Sequence, residues 1–343
     1  MEIIWFSIVA LMIAGYVVLD GFDLGAGILH LFVARTGEER RTIIRSIGPV
    51  WDGNEVWLVA GGGVLFCAFP GLYASSFSGF YLPLMIVLWL LILRALSIEL
   101  RGMIDSPIWQ PFWDAGFFLA SATLAILYGA ALGNVVRGVP LDKSGDFFLP
   151  LWTDFKVKPD AGILDWYTIS VGLFAFLTLS LHGALWIVYK TAGEVRGRAL
   201  TLVKPLWAGV LALNIVVTIL TFRVQPQVPA SFVAHPWGCV FPVLAVLGMF
   251  LIAAFGFGKE ELRSFLASCA CIAGMLASTA FGIFPYVLPS LGERANGLTV
   301  YNTATSGYGL KAGLAWWIPG MILAACYTVF VYRRLRGKVS LDH

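Results

Sequence analysis

Apolar residues run in long blocks along this chain, and the polar stretches between them are short. The blocks centre on residues 5–30, 50–70, 78–98, 113–135, 162–189, 205–223, 237–256, 264–287 and 312–332. About twenty apolar residues in a helix cover the hydrocarbon thickness of a bilayer, so the pattern predicts an all-α polytopic membrane protein with nine transmembrane helices. Contrast is weakest at PGLYASSFSG (70–79), between the second and third blocks. One connection is longer: residues 136–161, rich in Pro, Asp and Lys, lie outside the membrane and divide a single integral domain (1–343) into helix groups 1–135 and 162–343. The first helix starts almost at Met1 without a basic leader, and DGFDLGAG follows where a cleavage site would be needed, so it is expected to stay in place.

The placement of charge gives the scheme a direction. Alternate connections hold Arg35, Arg40, Arg41 and Arg45; Arg94 and Arg101; Lys190, Arg196, Arg198 and Lys204; Lys259 and Arg263; and Arg333, Arg334, Arg336 and Lys338. That is 16 of the 23 basic residues, and the positive-inside rule puts the C-terminus in the cytoplasm and the N-terminus outside. An odd number of spans is what those ends require. Trp5, Trp109, Trp113, Trp166, Trp316 and Trp317 sit near span ends, as an interfacial aromatic belt would. Gly21 with Gly25, Gly61–Gly63, and Gly129 with Gly133 mark expected close helix contacts.

Composition matters mainly for its exceptions. The chain is 59% hydrophobic and 13% charged, yet Asp20 and Asp23 close the first block, and Asp52 and Glu55 open the second. A carboxylate at membrane depth costs about 2.5 to 3.5 kcal/mol on insertion scales, so four of them beside one helix hairpin point to an ion or proton function. Each pair is spaced by three positions and shares a helical face. Close carboxyls out of water favour sharing one exchangeable proton over full ionisation, which is the chemistry of a proton relay. The competing account has these groups capping the second helix and pairing with Arg40, Arg41 or Arg45 of the joining loop. Arg94, late in the third block, either meets a carboxylate or an anionic cofactor group inside the bundle or snorkels to the surface beside Glu99 and Arg101.

Histidine is scarce in the spans. His182 alone lies well inside an apolar block; His30 is near the inner interface, His235 is in an outer loop and His343 is C-terminal. Haem in a helix bundle needs axial His or Met on inward positions, whereas a lone His on an apolar helix is more often a hydrogen-bonded core residue. The five cysteines (Cys67, Cys239, Cys269, Cys271, Cys326) form no CxxC pair and read as small packing residues. No nucleotide-binding glycine loop, HExxH or nucleophile elbow is present, and the basic loops lack the aromatic interleaving of a nucleic-acid surface. No metal ligand set is expected.

LDGFDLGAGIL (19–29) and ERRTIIRSIGPVWDGNEVWLVAGGGVLFCAFPGLYASSFSGFY (39–81) resemble the N-terminal signature of subunit II of cytochrome bd-type quinol oxidases. RALSIELR (94–101), FWDAGFF (112–118), GAALGNVVRGVP (129–140), FPYVLPS (284–290) and LTVYNTATS (298–306) extend the resemblance, in order, over most of the chain. The resemblance implies two four-helix bundles plus one further helix, in a bacterial cytoplasmic (inner) membrane. It also implies a homologous, haem-bearing subunit I as partner, with small single-helix accessory subunits in the complex and lipid around it. Haem b and haem d, and the quinol-oxidising loop, belong to subunit I; this chain is expected to ligate no cofactor and to contribute no catalytic residue directly. Electrons from quinol reduce dioxygen to water, with protons drawn from the cytoplasmic side, so a potential forms without a pump. Subunit II is associated with haem-cluster assembly and a proton route, and in some members with an oxygen channel or a structural quinone. By motif position, Asp52 of WDGN is the foremost proton-route candidate. Asp20 and Asp23 of DGFD come next, collecting protons at a cytoplasmic mouth, and Glu55 is last because a neutral amide stands there in some members. Trp51, Asn54 and Arg94 would lie at the subunit interface near the haems. Two other readings compete: a proton-coupled secondary transporter, which should show helices broken near the midplane and an internal repeat, and a purely scaffolding subunit.

Overall fold

The computed structural model describes residues 1–339, so His343 falls outside it. Its first feature departs from the sequence pattern. Helix α1 (Glu2–Leu19) and helix α2 (Gly21–Val33) form one apolar stretch of 32 residues interrupted at Asp20. The two acids therefore lie within the span rather than closing it, and α2 continues ten residues beyond Asp23. Asp20 keeps φ −83° and ψ −17°, and Leu24 N still donates to its carbonyl at 3.0 Å, so the axis is nicked rather than turned.

A short amphipathic helix, α3 (Gly37–Ile47), returns the chain toward the bundle with Ile43 and Ile47 buried. It starts at a capping box, in which Thr36 Oγ1 accepts from Glu39 N and the Glu39 carboxylate accepts from Thr36 N. Helix α4 (Trp51–Ala68) and helix α5 (Pro70–Gly79) follow, parted at Phe69, with Pro70 in the first helical position where its missing N–H is harmless. Long helices make up the rest: α6 (Tyr81–Leu100), α7 (Trp109–Arg137), α8 (Trp166–Lys190), α9 (Gly193–Val224), the short α10 (Gln227–Ala234), α11 (Val240–Ala254), α12 (Glu261–Ile283) and α13 (Gly307–Arg334). A two-stranded antiparallel ribbon, β1 (Tyr286–Leu288) with β2 (Leu298–Thr299), joins the last two long helices.

Among the described residues, eight helical stretches are long and apolar enough to cross a membrane. The expected ninth, α4, is 18 residues long but opens with WDGNE, and those five residues dilute its apolarity. The predicted external connection runs over 138–165 instead of 136–161. Its end is fixed by Asp165, which caps α8 by accepting from Tyr167 N and Thr168 N and also pairs with Arg137 at the end of α7. Both side chains are buried, and Asn134 accepts from Arg137 at 2.7 Å.

Two of the three glycine signals mark close helix contacts. At Gly25 a Cβ would lie 2.0 Å from the Leu179 carbonyl, and at Gly183 it would lie 2.3 Å from the Gly25 carbonyl carbon, so α2 and α8 cross backbone to backbone. A Cβ on Gly129 would lie 2.6 Å from Val171 O, joining α7 to α8. Gly61 is buried against Met12 of α1, whereas Gly62 and Gly63 meet nothing in the chain, so that edge of α4 has no neighbour within it. Two tryptophans assigned to the interfacial belt are buried: Trp5 donates its indole N–H to Leu310 O at 3.0 Å, and Trp113 is in the core. Of the cysteines, Cys271 is buried, while Cys67, Cys239 and Cys326 lie on outer faces; all five are free thiols.

Candidate functional site

The nick at Asp20 frees groups that a continuous helix would have used. Leu19 O accepts from Asn54 Nδ2 at 3.0 Å, and Val18 O accepts from His182 Nε2 at the same distance. Around this point four helical segments contribute ionisable side chains. Arg94 of α6 is fully buried, and one of its terminal nitrogens donates to both oxygens of Asp20, at 2.7 and 2.9 Å. Its other terminal nitrogen donates to Glu55 Oε2 of α4 at 2.9 Å. The planar guanidinium suits such a task, because it presents donors in a fixed fork to two carboxylates at once. Arg94 thus meets the buried Asp20 and the partly exposed Glu55 instead of snorkelling.

Asp23 lies one helical turn beyond Asp20 and is buried as completely. Its Oδ2 accepts from Asn54 Nδ2 at 2.8 Å, and its Oδ1 has no partner. Asn54 in turn accepts, through Oδ1, from the Tyr332 hydroxyl of α13 at 2.9 Å. Three carboxyls and one guanidinium therefore share a single enclosure, and Asp23 is the acid that the guanidinium does not touch. The position is deep: Leu19, bonded to Asn54, is fourteen residues, or about 21 Å at 1.5 Å per residue, from the α2 end of its span.

Asp20 and Asp23 are thus enclosed and line no open mouth in this chain. Asp52 differs from both. It sits on the exposed face of the first turn of α4, while Trp51 and Asn54 turn inward and Glu55 is only partly exposed. Nor does the loop supply the cation for Asp20 and Glu55, since Arg94 does and Arg40 donates instead to Asp114 of α7 at 3.0 Å.

That second cluster escaped the sequence reading. Asp114 is buried, accepts from Arg101 Nε at 2.5 Å and lies 3.8 Å from His30 Nε2. His30 is buried rather than interfacial, with Nδ1 2.7 Å from Gly27 O. The available signal was a stripe: Asp20, Asp23, Gly27 and His30 recur at three- and four-residue spacing on one face of the rod. His182 behaves as a core residue, with Nδ1 2.7 Å from Ser268 Oγ, and its ring stacks on Phe265 at 4.9 Å. Protein atoms engage both of its ring nitrogens, leaving none for iron.

Residues 1–335 match the family described as cytochrome bd terminal oxidase subunit II. The chain belongs to that family. It is 31% identical to a probable cytochrome oxidase subunit 2 of Haemophilus influenzae, over all of this chain and 96% of that one. It is 30% identical to the cytochrome bd ubiquinol oxidase subunit 2 of Bacillus subtilis, over 96% and 95%, and 29% identical to the bd-I ubiquinol oxidase subunit 2 of Escherichia coli K12, over 100% and 96%. The fold is that of a chain of the bd oxidase of Geobacillus thermodenitrificans, with a TM-score of 0.76, 98% coverage of both chains and 20% identity. This is a multi-pass membrane subunit of a quinol:oxygen oxidoreductase complex.

Proposed function

We propose that this chain serves its oxidase as a proton-conducting, cofactor-free subunit, docked through α4 on a haem-bearing subunit I. The observation that carries the reading is the enclosed cluster of Asp20, Asp23, Glu55 and Arg94 in a chain of this family. Subunit I would hold haem b and haem d, and these groups, when bound there, supply the electron transfer and oxygen reduction. This chain's own residues take protons from the cytoplasmic side and hold them near the partner. Asp23 and Asp20 are the internal stations. Asp52 is the station at the boundary between the subunits, with Glu55 partly exposed behind it.

The surface of α4 supports that order. Val56, Val59 and Phe66 are well exposed, Gly53, Gly62 and Gly63 have open space above them, and Asp52 shares the face. A carboxylate on an apolar face at this depth costs about 2.5 to 3.5 kcal/mol if lipid covers it, and a partner able to donate to it removes that cost. Small residues beside it allow close helix approach. With α4 as the ninth span, the chain divides into two four-helix bundles with α13 as the remaining helix, its N-terminus outside and its C-terminus cytoplasmic. Small accessory subunits would join elsewhere.

The nick at Asp20 is a feature that a secondary transporter would share, but the family match across the whole chain favours the oxidase. A tagged chain purified from its native membrane is expected to bring down a haem-bearing subunit and to show quinol-dependent oxygen consumption. A haem-free chain that exchanges ions on its own would contradict the proposal.

A further inference from the structure

Asp23 has two oxygens with different surroundings. Oδ2 is held by Asn54, and Oδ1 is buried without a partner. The difference depends on which way the Asn54 amide points. Both hydrogens of its nitrogen are in use, one on Leu19 O and one on Asp23 Oδ2. With the amide turned over, its oxygen would face those same two acceptors, and two acceptors repel unless a proton sits between them. Leu19 O, which can only accept, calls for the nitrogen on that side, and the Tyr332 hydroxyl holds the amide in that orientation by donating to Asn54 Oδ1.

We propose that Tyr332 is a positioning residue of the proton route: by fixing the Asn54 amide it leaves Oδ1 as the oxygen on which Asp23 takes up and releases a proton. The inference rests on the proton-conducting reading above. In the transfer itself a hydronium ion of the route gives its proton to Oδ1 and becomes water, and the resulting carboxylic acid later returns that proton from Oδ1 to a second water, with no change of oxidation state. The ionisable groups around Asp23 are Asp20 at the helix nick, Arg94 on α6, Glu55 on α4 and Tyr332 on α13. Among the described residues, only Tyr332 reaches Asp23 through Asn54.

The position of α13 determines whether Tyr332 reaches Asn54. The membrane-spanning stretch of α13 is almost unburied within the chain, and the helix is pinned near its two ends. Trp5 holds Leu310 O at one end. At the other, Lys190 Nζ of α8 donates to Leu335 O at 2.5 Å and to Gly337 O at 2.9 Å. Tyr332 lies just before this second clamp, so α8 sets its height against Asn54.

The test uses the assembled oxidase carrying Tyr332→Phe, compared with wild type and with Asp23→Asn. Haem content reports assembly. Quinol-dependent oxygen consumption across pH reports the route, and infrared difference spectra report the protonated-carboxyl band, assigned to Asp23 by its loss in Asp23→Asn. Tyr332→Phe is expected to keep the haem content, to lower turnover by about three- to tenfold, and to shift that band, because Oδ2 is no longer held as an acceptor by a fixed amide. A purely structural tyrosine would leave the band where it is. Wild-type turnover and an unmoved band in Tyr332→Phe, with Asp23→Asn still slow, would overturn the inference alone. Wild-type proton uptake in Asp23→Asn would overturn the route reading beneath it. Should Tyr332→Phe fail to assemble, Asn54→Ser removes the amide itself, both its donors and the oxygen that Tyr332 holds, and an unmoved band there overturns the inference equally.

Discussion

Replacing Arg94 by leucine is expected to cost the subunit about 3 to 5 kcal/mol, the penalty for breaking a buried ion pair from one side, and to leave little assembled oxidase in the membrane. The size follows from what remains behind. Asp20 loses both of its short hydrogen bonds, and Glu55 loses its tie to α6. Arg94 is the cation paired with both acids among the described residues, and Arg40 and Arg101 are committed to Asp114. Lysine is a poor replacement, since a single ammonium lacks the fork that serves two carboxylates from two helices. Arg94→Leu combined with Asp20→Asn is expected to recover much of the lost assembly, because the second change removes the stranded charge. Immunoblotting of membranes with haem spectra on the single and double variants checks this. Equal losses in the two variants would show that the ion pair is not what the single change breaks.

Gly25→Val is expected to disrupt the subunit comparably, by about 3 kcal/mol, the upper part of the range for overpacking, with assembly lost at growth temperature. The obstacle is backbone, which cannot rotate away: a Cβ would meet the Leu179 carbonyl oxygen at 2.0 Å and the Gly183 Cα at 2.7 Å. Helices α2 and α8 would have to separate, and with them the stack of Phe22 on Trp186. Gly197→Ala in α9 is the control, since a Cβ there meets nothing and alanine favours helix by about 1 kcal/mol. Thermal denaturation of the detergent-purified complex separates the two, and similar melting temperatures for both variants would contradict the crossing.

The Gly25 contact was legible in the chain as small residues four apart, whereas the run Gly61–Gly63 places Gly61 on α1 and leaves Gly62 and Gly63 with no contact inside the subunit. Spacing reports which residues share a face, but not whether that face turns to the chain's own core or to a partner. Arg94 shows a similar limit. Burial of a guanidinium demands a carboxylate, yet four acids stood on the hairpin, and only the fold assigns Asp20 and Glu55 to it, leaves Asp23 to Asn54 and turns Asp52 outward. The nick at Asp20 was hidden because apolar residues continue across it from Val18 to Leu29, interrupted only by the acids themselves. The short apolarity of α4 and its polar first turn have one cause, WDGNE, which reads as a weak span by composition and as a site by motif. Asp114 went unread because its partners, His30, Arg40 and Arg101, come from three other segments.

Proton uptake by the reconstituted oxidase carrying Asp52→Asn tests the central claim most directly. The substitution keeps size and shape on an exposed turn, so haem content is expected to stay at the wild-type level. Uptake from the cytoplasmic side and oxygen consumption are expected to fall together by at least tenfold. A fully assembled Asp52→Asn complex that takes up protons and turns over at wild-type rates would contradict a proton route through this face of the subunit.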